Sequence, residues 1–102
     1  MRTVPHPAAD ELTLPSVLHA LSDPARLDIV RGLASGDAQP CGSLAPSISK
    51  STLSHHLKVL RECGLTATRV NGTRRLVSLR KADLESRFPG LLDCVLSESR
   101  AA

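Results

Sequence analysis

Residues 49–64 read SKSTLSHHLKVLRECG. Two adjacent histidines and a nearby cysteine raise the question of a metal site, and spacing answers it. Leu53, Leu57 and Leu60 recur at i, i+4 and i+7, one face of a 3.6-residue period. Ser49 is a suitable N-cap, because its hydroxyl can accept an otherwise unpaired backbone N–H of the first turn. Gly64 can take the left-handed conformation that ends a helix. The pattern therefore predicts a helix from about Lys50 to Glu62. Adjacent helical residues point about 100° apart, so His55 and His56 cannot face one ion. His55 and Cys63 lie about two turns apart, too far for one metal within this helix. The outward face instead carries Lys50, Ser51, Thr52, Ser54, His55 and Lys58, together with Arg61 or Glu62. Short polar and basic groups of this kind reach phosphates and base edges.

The flanking segments extend the pattern. Downstream, LTATRVNGTRRLVSLR (65–80) places Asn71-Gly72 between β-prone runs, a strong hairpin signal whose two central residues would need positive φ. Upstream, Gly42–Pro46 reads as a short helical turn, since Pro46 cannot sit deep inside a helix. Asp23-Pro24 is an N-cap followed by proline at the first helical position, opening a helix with Leu27, Ile29, Val30 and Leu33 on its apolar face and an end near Ser35–Gly36. Leu14, Val17, Leu18 and Leu21 form an earlier stripe. Residues 81–88 can be helical, Pro89 interrupts, and Leu91, Leu92, Val95 and Leu96 form the last stripe. Residues 1–11, rich in proline and charge, read as a flexible N-terminal arm, 12–97 as one domain, and 98–102 as a C-terminal tail. A short helix, a four-residue turn, a basic amphipathic helix and a basic hairpin make a winged helix-turn-helix. The expected class is mainly α with a small β-hairpin, in the order α-α-α-α-β-β-α.

Composition narrows the function. The chain has 102 residues and one aromatic residue, Phe88, so its core must be aliphatic. A chain this short buries a limited share of its surface, which makes dimerisation through the first and last stripes an expected source of further burial. Between Ser49 and Lys81 stand eight basic residues and one acid, Glu62, a net +7. The rest of the chain carries −4, and the total is +3. Such a concentrated field points to a polyanion, with Arg69, Arg74 and Arg75 of the hairpin as phosphate contacts. A small module whose basic face binds an acidic protein is the alternative. No run of eighteen apolar residues or signal-like stretch is present, so a cytoplasmic location and no membrane partner are expected. A Gly-rich phosphate loop, His-Glu-x-x-His and Gly-x-Ser-x-Gly are all absent, so no enzyme is expected.

LSDPARLDIVRGLA (21–34) and STLSHHLKVLRECGL (51–65) resemble signature segments of the ArsR/SmtB family of bacterial regulators, and the resemblance spans roughly residues 12–80. It implies a dimeric winged-helix repressor of palindromic operators, released by a metal or another effector. It further implies that residues 50–62 are the recognition helix, 65–80 the wing, and the terminal helices the dimer contact. His56 matches a position that belongs to the fold rather than to a ligand set.

The chain departs from that family at its trigger. Many metal-sensing members carry Cys-x-Cys at the short helix before the turn; here AQPCGSL (38–44) has Cys41 alone, beside Pro40. Others carry a His- and Asp-rich site on the last helix; LLDCVLSESR (91–100) offers Asp93, Cys94 and Glu98 but no histidine. A divalent metal such as nickel or zinc therefore lacks a complete site, and His6 and His19 could join one only across a dimer. Three scattered cysteines make no disulfide framework. Cys41, at or just before the start of the short helix, is the redox candidate, because helix N-termini favour a thiolate. Cys63 at a helix C-terminus and Cys94 beside Asp93 are disfavoured. Control by a partner protein is a further alternative.

Overall fold

The computed structural model describes the backbone of residues 2–97 and the side chains of residues 4–97. The tail expected at 98–102, including Glu98, lies outside the described residues. The helix that decides the fold, α3, spans Lys50–Glu62. Ser49 caps it: the Ser49 hydroxyl accepts the Thr52 N–H at 3.2 Å. At the other end Gly64 has φ +90°. There the Leu65 N–H reaches the Leu60 carbonyl and the Gly64 N–H reaches that of Arg61, the paired bonds of a Schellman motif. Gly64 is also fixed by packing, since a Cβ there would stand 1.9 Å from a Leu12 methyl.

That stop turns the chain into the wing. Strands β3 (Thr66–Asn71) and β4 (Arg74–Leu79) pair antiparallel, with Asn71 opposite Arg74. The two-residue loop is therefore Gly72-Thr73, one position later than the expected Asn71-Gly72. Gly72 has φ +65° and no non-glycine residue has positive φ among the described residues. Positive φ at the first central position alone is the type II′ pattern, which needs only one glycine.

Four strands, not two, make the sheet, in the order β1-β3-β4-β2. The added strands are two residues each: β1 (Arg2–Thr3) on β3 and β2 (Gln39–Pro40) on β4. Such short strands show no periodicity in sequence, and a proline is tolerated because β2 lies at the sheet edge.

The expected flexible arm is instead docked. His6 Nε2 accepts the Thr68 N–H at 2.9 Å, Arg80 donates to the Pro7 carbonyl at 2.9 Å, and a 3₁₀ turn over Ala9–Glu11 leads into the buried Leu12.

Helix α1 (Leu14–Leu21) sends Val17 and Leu21 inward and leaves Leu14 and Leu18 exposed. Helix α2 (Pro24–Gly32) starts at Asp23, whose carboxylate accepts the Ala25 and Arg26 N–H groups; these bonds, that of Arg26 foremost, hold its pKa below the ordinary value. The helix ends about three residues earlier than expected, in a turn closed by Gly36 at φ +88°. The expected short helix at 42–46 is a 3₁₀ turn over Cys41–Ser43. Pro40 and Pro46 bracket it, and Pro46 has no N–H to give the Gly42 carbonyl, so an α-turn cannot close. After the wing, α4 (Lys81–Arg87) and α5 (Leu91–Leu96) are separate helices broken at Pro89-Gly90. The core is aliphatic: Ile29, Val30, Leu33, Leu60, Leu65, Val77 and Leu84 are essentially inaccessible, and Phe88 only packs against them.

Candidate nucleic-acid interface

Helix α3 has thirteen residues and is therefore about 20 Å long, enough to lie along a groove. Its inward residues are Leu53, His56 and Leu60, while Leu57 is only half-buried. The nine side chains expected to meet DNA are all exposed: Lys50, Ser51, Thr52, Ser54, His55 and Lys58 on α3, and Arg69, Arg74 and Arg75 on the wing. Thr52 takes part in the cap, its Oγ1 accepting from Ser49 at 2.9 Å, which leaves its own hydroxyl hydrogen free to donate. Of the eight basic residues in the +7 segment, Arg61 and Arg80 are not outward. Arg80 pairs with Asp83 at 2.9 Å. Arg61 is half-buried, and its Nε is buried without a hydrogen-bond partner. Arg61 therefore leaves the outward face proposed for it, while Glu62 stays there.

What holds this helix is a contact the sequence did not announce. Arg26 and His56 are each 8% exposed. Arg26 Nε donates to the Ala20 carbonyl at 2.8 Å, and its Nη1 lies 3.2 Å from His56 Nδ1. A guanidinium only donates, so Nδ1 is the acceptor and the ring proton sits on Nε2. One guanidinium thus ties the end of α1 to α2 and α3. The signal was a charged residue on the Arg26–Ile29–Val30–Leu33 face, at spacings that otherwise hold apolar groups. His56 thus belongs to the interior and His55 to the surface, as their angular separation on the helix requires.

The trigger residues do not converge. Among the described residues, no three of His, Cys, Asp and Glu form a group able to hold a metal ion. The described donors of one chain therefore do not make a metal site by themselves. Cys41 is half-buried as the first residue of the 3₁₀ turn, so it stands at no α-helix N-terminus and the dipole argument for it falls away. Cys63 is buried; burial pushes its thiol pKa up, and its Sγ–H donates to the Leu60 carbonyl. Cys94 is exposed. Burial first, and then the charges of Arg80 and Arg61, hold the His6 imidazole below the ordinary histidine range. Among the described residues, no helix is long and apolar enough to cross a membrane.

Comparison with known proteins agrees with this architecture. A helix-turn-helix domain family matches residues 21–69. The HTH-type transcriptional regulator YceK of Bacillus subtilis is 41% identical over 88 residues, covering 83% of this chain and 88% of that protein. The arsenical resistance operon repressor of Staphylococcus xylosus is 38% identical over 73 residues, 71% of this chain and 70% of its own. This chain belongs to the ArsR family of helix-turn-helix transcriptional regulators. The ArsR-family fold extends to solved structures: the homodimeric winged helix-turn-helix DNA-binding domain from Mycobacterium bovis matches with a TM-score of 0.66 at 28% identity, over 80% of this chain and 76% of that one. As a member of the family the chain is a DNA-binding transcriptional regulator and not an enzyme.

Proposed function

We propose that this regulator is a cytoplasmic repressor that binds a palindromic operator as a homodimer. Lys50, Ser51, Thr52, Ser54, His55 and Lys58 enter the major groove, and Arg69, Arg74 and Arg75 of the wing hold the flanking phosphates. The observation that carries this reading is the split of α3: every candidate contact is exposed while Leu53, His56 and Leu60 are buried, so the polar face is free to meet a groove. Leu14 and Leu18, 42% and 47% exposed on α1, are large apolar groups that a second copy would cover. A two-fold axis would then set the recognition helices about 34 Å apart, one turn of DNA. Cys41, close to the half-buried Leu57 of α3, is the thiol proposed to couple oxidation to DNA binding.

The test is selection of bound genomic fragments, followed by binding to the selected site and to an unrelated duplex. His55→Ala should lose about 1–3 kcal/mol on the selected site alone, with its melting temperature unchanged. Equal loss on both duplexes would remove His55 from base readout, and no preference among fragments would overturn sequence-specific binding.

A further inference from the structure

A cleft runs between the Cys41–Ser43 turn, the inner flank of α3 and the wing. Its narrower part, about 70 Å³, is lined by Ser54, Leu57 and Val77, with Arg61 and Arg75 also on its lining. That is room for a few waters, each taking about 30 Å³ in the liquid, or for the head of a small ligand. A second trough of about 350 Å³ shares Cys41, Ser54 and Leu57 with it and is also lined by Gly42, Leu53 and Lys50. The trough alone reaches the usual size of small-molecule sites, about 300–1,000 Å³.

Its chemistry is one-sided. Three cations line the two compartments, and among the described residues lining them there is no Asp or Glu. Arg61, half-buried, and Arg75, exposed, bring two guanidinium groups to the same lining. An oxyanion in the cleft would complement these two positive charges. A bare inorganic anion would leave the leucine-lined trough unfilled. We propose that this cleft binds a small amphipathic carboxylate, its head on Arg61 and Arg75 and its apolar body along Leu57 and Leu53. Such a ligand wedges the recognition helix against the wing and neutralises Arg75. The site deepens the regulator reading, and its effect on DNA rests on that reading; the binding itself does not.

The test titrates the full chain, free of DNA, with butanoate, hexanoate and octanoate, using calorimetry and amide chemical shifts. 1-Hexanol and inorganic phosphate are the controls. Saturable binding should tighten by up to about fourfold per methylene, the equivalent of about 0.8 kcal/mol. Hexanol and phosphate should each bind at least about tenfold more weakly than hexanoate, and Arg75→Gln and Arg61→Gln should each cost about ten- to a hundredfold. Ser54→Leu, exposed on its outer side, should block the cleft while melting normally; should Arg61→Gln fail to fold, Arg75→Gln and Ser54→Leu decide. Absence of saturable binding, hexanol or phosphate equal to hexanoate, or indifference to Arg75→Gln and Ser54→Leu would each overturn the site. A gel shift with hexanoate forms the second arm, in which the ligand should weaken wild-type binding but not that of Arg75→Gln. A protein that binds hexanoate but no DNA would overturn the proposed function and leave the site standing; one that binds DNA but not hexanoate would do the reverse.

Discussion

The Arg26–His56 contact gives the sharpest test of what positions the recognition helix. His56→Leu replaces a buried ring with an apolar group of similar bulk and removes the acceptor 3.2 Å from Arg26 Nη1. Arg26, itself 8% exposed, keeps its bond to the Ala20 carbonyl but carries a buried, charged N–H without a partner. A hydrogen bond to a charged group is worth about 1.5–3 kcal/mol, and the orphaned donor cannot recover it from water. In a domain of about 100 residues each kcal/mol moves Tm by about 4–8 °C, so the expected loss is about 6–24 °C. The assay is a thermal melt followed by circular dichroism at fixed protein concentration, because a dimer's Tm depends on concentration. His55→Leu is the internal control: one residue away but exposed, it should change stability by no more than about 0.5 kcal/mol. A cycle with Arg26→Met completes the argument. Removing both partners leaves neither group unpaired, so the double variant should be less damaged than the sum of the singles by about 0.5–3 kcal/mol. His56→Leu melting within about 2 °C of wild type, or a double variant that is simply additive, would refute the tie.

Arg74→Ala with Arg75→Ala should weaken all duplexes alike and flatten the plot of log affinity against log salt by about 1.8, since each lost phosphate contact removes about 0.9; an unchanged slope would place the wing off the backbone. Leu18→Glu should convert the dimer to a monomer in sedimentation at micromolar concentration, whereas an unaltered dimer would move the interface away from α1. His6 is held below the ordinary histidine value of 6.5 by burial and by Arg80 and Arg61, so the unfolded chain binds the extra proton first. The stability this neutral ring supports is therefore present above that value and lost as pH falls through it toward the folded pKa; His6→Gln, which accepts the Thr68 N–H without titrating, should lose less across that window in denaturant melts. Peroxide oxidises a thiolate to a sulfenic acid and is itself reduced to water; mild treatment should release wild type from DNA but not Cys41→Ser, and identical responses would assign control to another group.

Local signals were legible and distant ones were not. The ends of α3 were readable because Ser49 and Gly64 act on backbone groups within one turn of themselves. The hairpin was readable because Gly72 supplies a backbone conformation other residues avoid, but its register slipped by one because Asn71 and Gly72 both suit turns. Strands β1 and β2 left no trace in the sequence, since two residues acquire their conformation from the strand they join. The same cause hid the docking of residues 4–12, which depends on His6 and Arg80 meeting groups more than sixty residues away. Among the proposed contacts, the exposed basic residues followed from charge and spacing. Arg61 did not, although its place four residues after the half-buried Leu57 puts it on the flank that faces the wing.

The adjacent histidines show how one helix separates a side chain that holds the fold from one that is left to the surface. A side chain that forms part of the interior is costly to change, because its neighbours are packed and paired around it; His56 is of that kind. A side chain exposed on the opposite sector owes the fold little, and its hydrogen-bonding groups remain available to a partner; His55 and Lys58 are of that kind. The 3.6-residue period assigns these roles to neighbours in sequence, so changes on the groove side are nearly free in stability while each base contact is worth about 1–3 kcal/mol in discrimination. The inner flank, where Leu57 and Arg61 border the cleft, belongs wholly to neither side. It is half-buried and lies against the wing, so a ligand in the proposed cleft would meet α3 there and not at the Arg26 tie.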